Sequence, residues 1–208
     1  MSLMTNWGYE LTEAEQLTDM LTVEEFNTFT ANKYAGDVRT EGNIKAACMA
    51  IRNYVGWHLY PSAACKLSVL MNDRRVTITG SDMLIQLPAK FVTEVTSVTI
   101  GDTACENFSF ETNGTLRIYD VTFAGLKRYT QIEVVYTAGL TAGMIDSLKE
   151  LIAHRATHAA ASSNGVTSEA AGGISVTYNA GWVNSARATA LPDDNKEVLA
   201  PYRLQGVF

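Results

Sequence analysis

The sequence is short of cysteine, of positive charge and of long apolar runs. Its three cysteines, Cys48, Cys65 and Cys105, are odd in number, and no two stand at a metal-ligand spacing such as C-x-x-C. That excludes a disulfide scaffold and a zinc ribbon and reads as a reduced, intracellular chain. Lys and Arg number 16 against 22 Asp and Glu, a formal net charge of -6. Such a balance argues against a stand-alone nucleic-acid binder, which needs a basic footprint, but leaves open a ring through which DNA slides. The densest basic groups, Arg74-Arg75 and Lys127-Arg128, read as solvated turns or strand ends. No apolar run approaches the roughly 18 residues of a membrane span, so no membrane partner is expected. A basic segment followed by an apolar one is missing from the N-terminus, so no secretory signal is expected.

Enzyme signatures are missing too. There is no G-x-S-x-G, no Walker A and no G-x-G-x-x-G. The Gly- and Ala-rich run 162–173 precedes a strand-like segment, whereas a phosphate cradle needs a helix N-terminus there. No spacing marks a Ser or Asp as an activated nucleophile. His58, between Trp57 and Leu59, reads as a packed histidine. The reading is a non-enzyme with no catalytic residue, cofactor or metal.

The chain does contain a core, with 47% hydrophobic residues over a length that suits one domain or one domain with a sizeable insertion. Residues 1–20 read as a short helix or a loose arm, with Thr12 and Glu15 at capping-box spacing. Thr22 and Glu25 repeat that spacing, flanked by Leu21 and Phe26, and predict a helix over 21–31. Ile44, Ala47, Cys48, Ile51 and Val55 form one apolar stripe, predicting a helix over 41–55 that Gly56 caps. From Lys66 to Thr137 short strands alternate with turn signals: 66–71, 76–79, 83–87, 92–100, 108–110, 116–119 and 131–137. Asn113-Gly114 is the strongest hairpin signal among them. A third long helix is predicted over 142–161, a loop over 162–173, a strand over 174–178 and a short helix ending near Pro201. About seventy residues of antiparallel β structure between helices point to an α+β fold class with a segregated sheet. Its expected divisions are an arm over 1–20, a helical core from 21–61 and 140–208, and a β-rich insertion over 62–139.

One constellation on the third helix tests as a metal site. Asp146, Glu150, His154 and His158 recur at i+4 steps, a spacing at which carboxylates and imidazoles can ligate a metal. Arg155 follows His154 where H-E-x-x-H needs its Glu, and the 41–55 helix offers only apolar residues on its core face. The stripe reads as a solvated or subunit-facing surface.

Several segments in order resemble the phage head–tail connector (adaptor) proteins, in their longer form with a β insertion between helices. These are Leu21-Thr22-Val23-Glu24-Glu25-Phe26, Tyr54-Val55-Gly56-Trp57, Ile85-Gln86-Leu87-Pro88 with Val92 to Val98, and Val134-Val135-Tyr136-Thr137-Ala138-Gly139. Ile152-Ala153-His154-Arg155 follows, then Leu191-Pro192-Asp193 through Leu199-Ala200-Pro201-Tyr202-Arg203. The resemblance spans residues 21–208 and implies a small helical bundle with an inserted antiparallel β module of about seventy residues, serving as a structural subunit of the phage neck. Such subunits form a ring homo-oligomer of about twelve copies on the portal protein and meet a tail or head-closure protein. DNA passes through the channel without specific binding. Localisation would be the virion neck, and the bacterial host cytoplasm before assembly. The alternatives are another neck or tail-completion protein, a β-domain ligand-binding module, or a metalloenzyme on the Asp146 stripe. Subunit contacts are expected over 163–182 and the C-terminal tail, at Ile174, Val176, Tyr178, Trp182, Tyr202 and Arg203, with Ile174–Tyr178 adding to a neighbour by strand pairing.

Overall fold

Val, Ile and Thr between turn residues suit a pleated, half-buried surface, and residues 63 to 138 fold as antiparallel strands. The protein is described here from a computed structural model covering residues 3–5, 7–12, 17–162, 168–171, 174–177 and 193–204. The strands are β1 (Leu3–Met4), β2 (Glu10–Leu11), β3 (Ala63–Leu70), β4 (Val76–Thr79), β5 (Asp82–Gln86), β6 (Val92–Ile100), β7 (Thr103–Ala104), β8 (Phe108–Phe110), β9 (Thr115–Ile118), β10 (Gln131–Ala138), β11 (Ser168–Ala171) and β12 (Ile174–Thr177). The helices are α1 (Val23–Phe29), α2 (Thr40–Val55), α3 (Asp146–Ser162) and α4 (Asp193–Leu199).

The expected helical bundle with a β insertion is not what the chain forms. It is mostly antiparallel sheet with few helices. A six-stranded sheet runs β1-β2-β3-β10-β6-β7 and a four-stranded sheet runs β4-β5-β9-β8. Two physical facts overturn the bundle. Helices α1 and α4 have seven residues each, under the length at which a helix lines a bundle. The sheet also starts before the helices: Leu11 pairs with Cys65 on β3, so residues expected as an arm extend the sheet. Tyr9-Glu10-Leu11 is buried at both ends and half-buried between, but so short an alternation does not mark a strand in the sequence. Residues 168–171, expected as loop, are a strand because they pair with β12.

The fold divides into two compact units. One comprises Met1–Thr18, Val55–Ala142 and Tyr202–Phe208, and the other Asp19–Tyr54 and Gly143–Pro201. In the first, β10 pairs along its length with both β3 and β6. Register stacks Val69, Ile132 and Ile100 in one buried row and Leu67, Val134 and Val98 in the next. The opposite face is solvated and carries the Lys66–Glu133 ion pair at 3.1 Å. Buried apolar residues recur at every third position from Val92 to Val98 in β6 rather than at every second. The register shifts at Val135/Tyr136 and Thr137/Ala138 explain this, because each bulge inserts one extra exposed residue. Strands β8 and β9 form the hairpin that Asn113-Gly114 predicts. Gly114 has φ +94, and a Cβ there would lie 2.3 Å from the Ala89 carbonyl oxygen, so only glycine fits.

In the second unit the capping box forms as the spacing predicts. The Glu25 N–H donates to Thr22 Oγ1 at 3.1 Å and the Thr22 N–H to Glu25 Oε2 at 2.9 Å. Glu25 also accepts from Lys149 Nζ of α3 at 2.7 Å. The hydrogen bond from Lys149, then that from the Thr22 backbone, holds the Glu25 carboxyl below its usual range. A depressed carboxylate stabilises the fold above its unfolded-state pKa and stops doing so as pH falls through its folded value. Denaturant midpoints should therefore drop between about pH 5 and pH 3 by more in the wild type than in Glu25→Gln. Equal drops would mean that the pair contributes nothing.

Candidate functional site

Strands β11 and β12 form a two-stranded ribbon with Ser168 opposite Thr177 and Ala171 opposite Ile174. Among the described residues, neither strand joins another sheet. A lone two-stranded hairpin is marginal in water and offers outer edges to a further strand. Ile174 and Val176 occupy β12, opposite Ala171 and Glu169. Tyr178 and Trp182 lie outside the described residues.

Tyr202 and Arg203 follow from a different construction. Ala200–Tyr202 is one 3-10 turn, and Trp57 fixes its end. The Trp57 indole N–H donates to the Tyr202 carbonyl at 2.8 Å. Phe91 stacks on Trp57 with ring centroids 6.3 Å apart and meets the Tyr202 ring at 5.9 Å. The Leu204 N–H donates to the Val55 carbonyl at 3.0 Å, closing the segment. Tyr202 is thus half-buried, with fold contacts of its own, while Arg203 is exposed. Tyr202 and Arg203 belong to the first compact unit, and Ile174 and Val176 to the second.

Sequence reasoning missed the edges of the four-stranded sheet. Register puts Ile78, Met83, Ile118 and Phe108 in one apolar row, and Val76, Ile85, Leu116 and Phe110 in the next. The rows run out to both edges, where Ile78 is 48% and Phe110 37% exposed. Strand β4 reads Val-Thr-Ile-Thr, with none of the charge or proline that usually protects an edge. That composition was the signal.

The chemistry candidates are accounted for differently. Asp146 accepts from Lys149 at 2.9 Å, and Glu150 and His154 are exposed on α3. The His158 side chain lies outside the described residues. Among the described residues no three His, Cys, Asp or Glu side chains gather to hold a metal ion. His58 is fully buried. Its Nε2 lies 3.0 Å from the Ala138 carbonyl, which can only accept, so Nε2 carries the proton. Nδ1 then accepts from the Tyr9 hydroxyl at 2.6 Å, and that hydroxyl accepts from the His58 backbone N–H at 3.0 Å. Both ring nitrogens serve the core. Burial pushes the Cys65 thiol up to about 12, which makes it packing rather than a nucleophile.

A cavity of about 380 Å³ opens among Ile100, Ala104, Cys105, Asn107, Ile118 and Asp120. Asn107 donates to Asp120 at 3.2 Å there, and burial raises the Cys105 thiol. Glu106 and Asp120 are the carboxylates of its lining. Among the described residues no helix is long and apolar enough to cross a membrane.

With this geometry in hand, comparison with known proteins assigns the chain. A family model described as head completion protein matches residues 19–204. No curated protein matches the chain. The chain belongs to the head completion protein family, whose members are structural proteins of the phage particle.

Proposed function

We propose that this head completion protein is a head–tail connector. Its copies close into a ring on the portal protein, extend the DNA channel toward the tail and meet a tail or head-closure protein, with no catalytic step. The observation that carries the reading is the β11–β12 ribbon, a hairpin that pairs with nothing else among the described residues. In a heterologous interface one surface of a copy meets a different surface of the next, and a suitable rotation closes the set, here at about twelve copies. A ribbon with open edges is a donor of that kind, and an uncharged edge such as β4 is an acceptor. Ile174, Val176, Tyr178 and Trp182 would carry the donor contact, with Tyr202 and Arg203 beside it or on the portal. A net charge of -6 makes the subunit repel DNA phosphates overall, which suits passage over capture. The working location is the virion neck, reached from the host cytoplasm.

Deletion of residues 163–182, closed by a short Gly-Ser linker, tests the reading. The variant is expected to keep the wild-type circular dichroism spectrum and unfolding midpoint while failing to form rings on sizing and in negative stain. Rings that persist in the folded deletion variant would remove this segment from the interface.

A further inference from the structure

The two basic pairs that the sequence spaces far apart converge at one end of the six-stranded sheet. The Met71 N–H donates to the Thr130 carbonyl at 2.9 Å, and the Asn72 N–H to the Arg128 carbonyl at 3.1 Å. These bonds lay the turn after β3 against the loop before β10. Each loop is stiffened locally. Arg75 donates from its backbone N–H and from Nε to Asp73 Oδ1 at 2.9 and 3.0 Å. In the other loop the Thr130 N–H donates to the Lys127 carbonyl, and the Lys127 N–H to Thr130 Oγ1, both at 2.9 Å.

Arg75 is spent on Asp73 and half-buried, but Arg74, Lys127 and Arg128 are exposed. None of the three makes an ion pair among the described residues. Tyr129, the residue after Arg128, is 67% exposed, with Lys127 Nζ 5.7 Å from its ring centroid. One further carboxylate, Asp102, lies on the adjoining turn, where the Gly101 N–H donates to the Gln131 carbonyl at 2.7 Å. In a chain of net charge -6, this is a local excess of positive charge on two braced loop tips.

We infer that Arg74, Lys127 and Arg128, with Tyr129 among them, form a phosphate-contacting patch that touches the backbone of double-stranded DNA. The inference rests on the connector reading, in which DNA passes the subunit. Cations on exposed tips, with no base-reading helix or ribbon around them, contact phosphates without reading sequence. Three such contacts per copy are weak and strongly salt-dependent, which lets DNA slide. Repetition around a ring multiplies them without any new contact.

The full-length chain should be titrated against a labelled mixed-sequence DNA duplex by fluorescence anisotropy, at salt from about 50 to about 200 mM. Each phosphate contact contributes about -0.9 to the slope of log K against log salt, so the wild-type slope should be near about -3. Arg74→Ala/Lys127→Ala/Arg128→Ala should weaken binding at least about tenfold and bring the slope close to zero. Lys33→Ala/Lys45→Ala, which removes exposed positive charge elsewhere, should change binding by less than about twofold. Equal losses in the two variants would reduce the effect to overall charge and overturn the patch. Unchanged DNA binding in the triple variant, with ring formation lost on sizing of the same samples, would overturn it as well and make these cations a contact for an acidic protein surface. Binding is read on subunits, so loss of DNA affinity in the triple variant supports the patch even where no rings form.

Discussion

Gly139→Ala is expected to destabilise the unit built on the two large sheets by more than about 3 kcal/mol, an effect reserved for backbone conflict or core loss. Gly139 closes β10 with φ +128, a conformation that side chains rarely adopt. A Cβ at this position would lie 2.4 Å from the Pro61 carbonyl oxygen and 2.8 Å from the Ser62 Cα, both backbone atoms. Neither can swing aside, because the next residue is tied to the same crossing: the Leu140 N–H donates to the Leu59 carbonyl at 2.8 Å. At about 2–4 °C per kcal/mol for a chain of this size, the melting temperature should fall by around 10 °C. Gly143→Ala is the control, since nothing lies within 4 Å of its Cβ position, and should stay within about 0.5 kcal/mol of wild type. Similar melting curves for the two variants would contradict the crossing as described.

Trp57→Ala is the second large effect. Trp57 is fully buried, so its truncation should cost about 3–5 kcal/mol. Trp57→Phe keeps an aromatic ring against Phe91 and removes only the indole N–H. The Tyr202 carbonyl then loses its donor at a cost of about 1–3 kcal/mol. The two substitutions separate core packing from anchoring of the C-terminal segment. Trp57→Phe should fold but expose residues 202–204 to faster amide exchange, and should weaken assembly if Tyr202 and Arg203 lie at an interface. Unaltered exchange at Leu204 in Trp57→Phe would count against Trp57 as the anchor.

Local grammar carried most of the elements. Thr22 and Glu25 announce the start of α1 through a spacing that satisfies two N–H groups at once. The apolar stripe of α2 is buried at Ile44, Ala47, Cys48, Ile51 and Val55, each 2% exposed or less. What local grammar does not carry is the partner of each strand. The strands on either side of Asn72-Asp73 belong to different sheets, and nothing in either segment says so. The helical bundle was implied by resemblance, and the structure gives α1 and α4 only seven residues each, too few to line one. Strand β2 was illegible for the opposite reason: two residues hold too little pattern, and their register is set by β3. The basic patch is likewise invisible in sequence, because Arg74 and Arg128 become neighbours only through backbone bonds made by Met71 and Asn72.

Ring closure is the central claim, and direct imaging of the concentrated full-length protein by negative-stain electron microscopy, with native mass measurement on the same sample, tests it most directly. The account predicts closed rings of a single rotational symmetry with a central opening, and a mass equal to a whole number of chains near about twelve. Isolated subunits or closed two-fold dimers, across the concentration range and in the presence of purified portal protein, would contradict it.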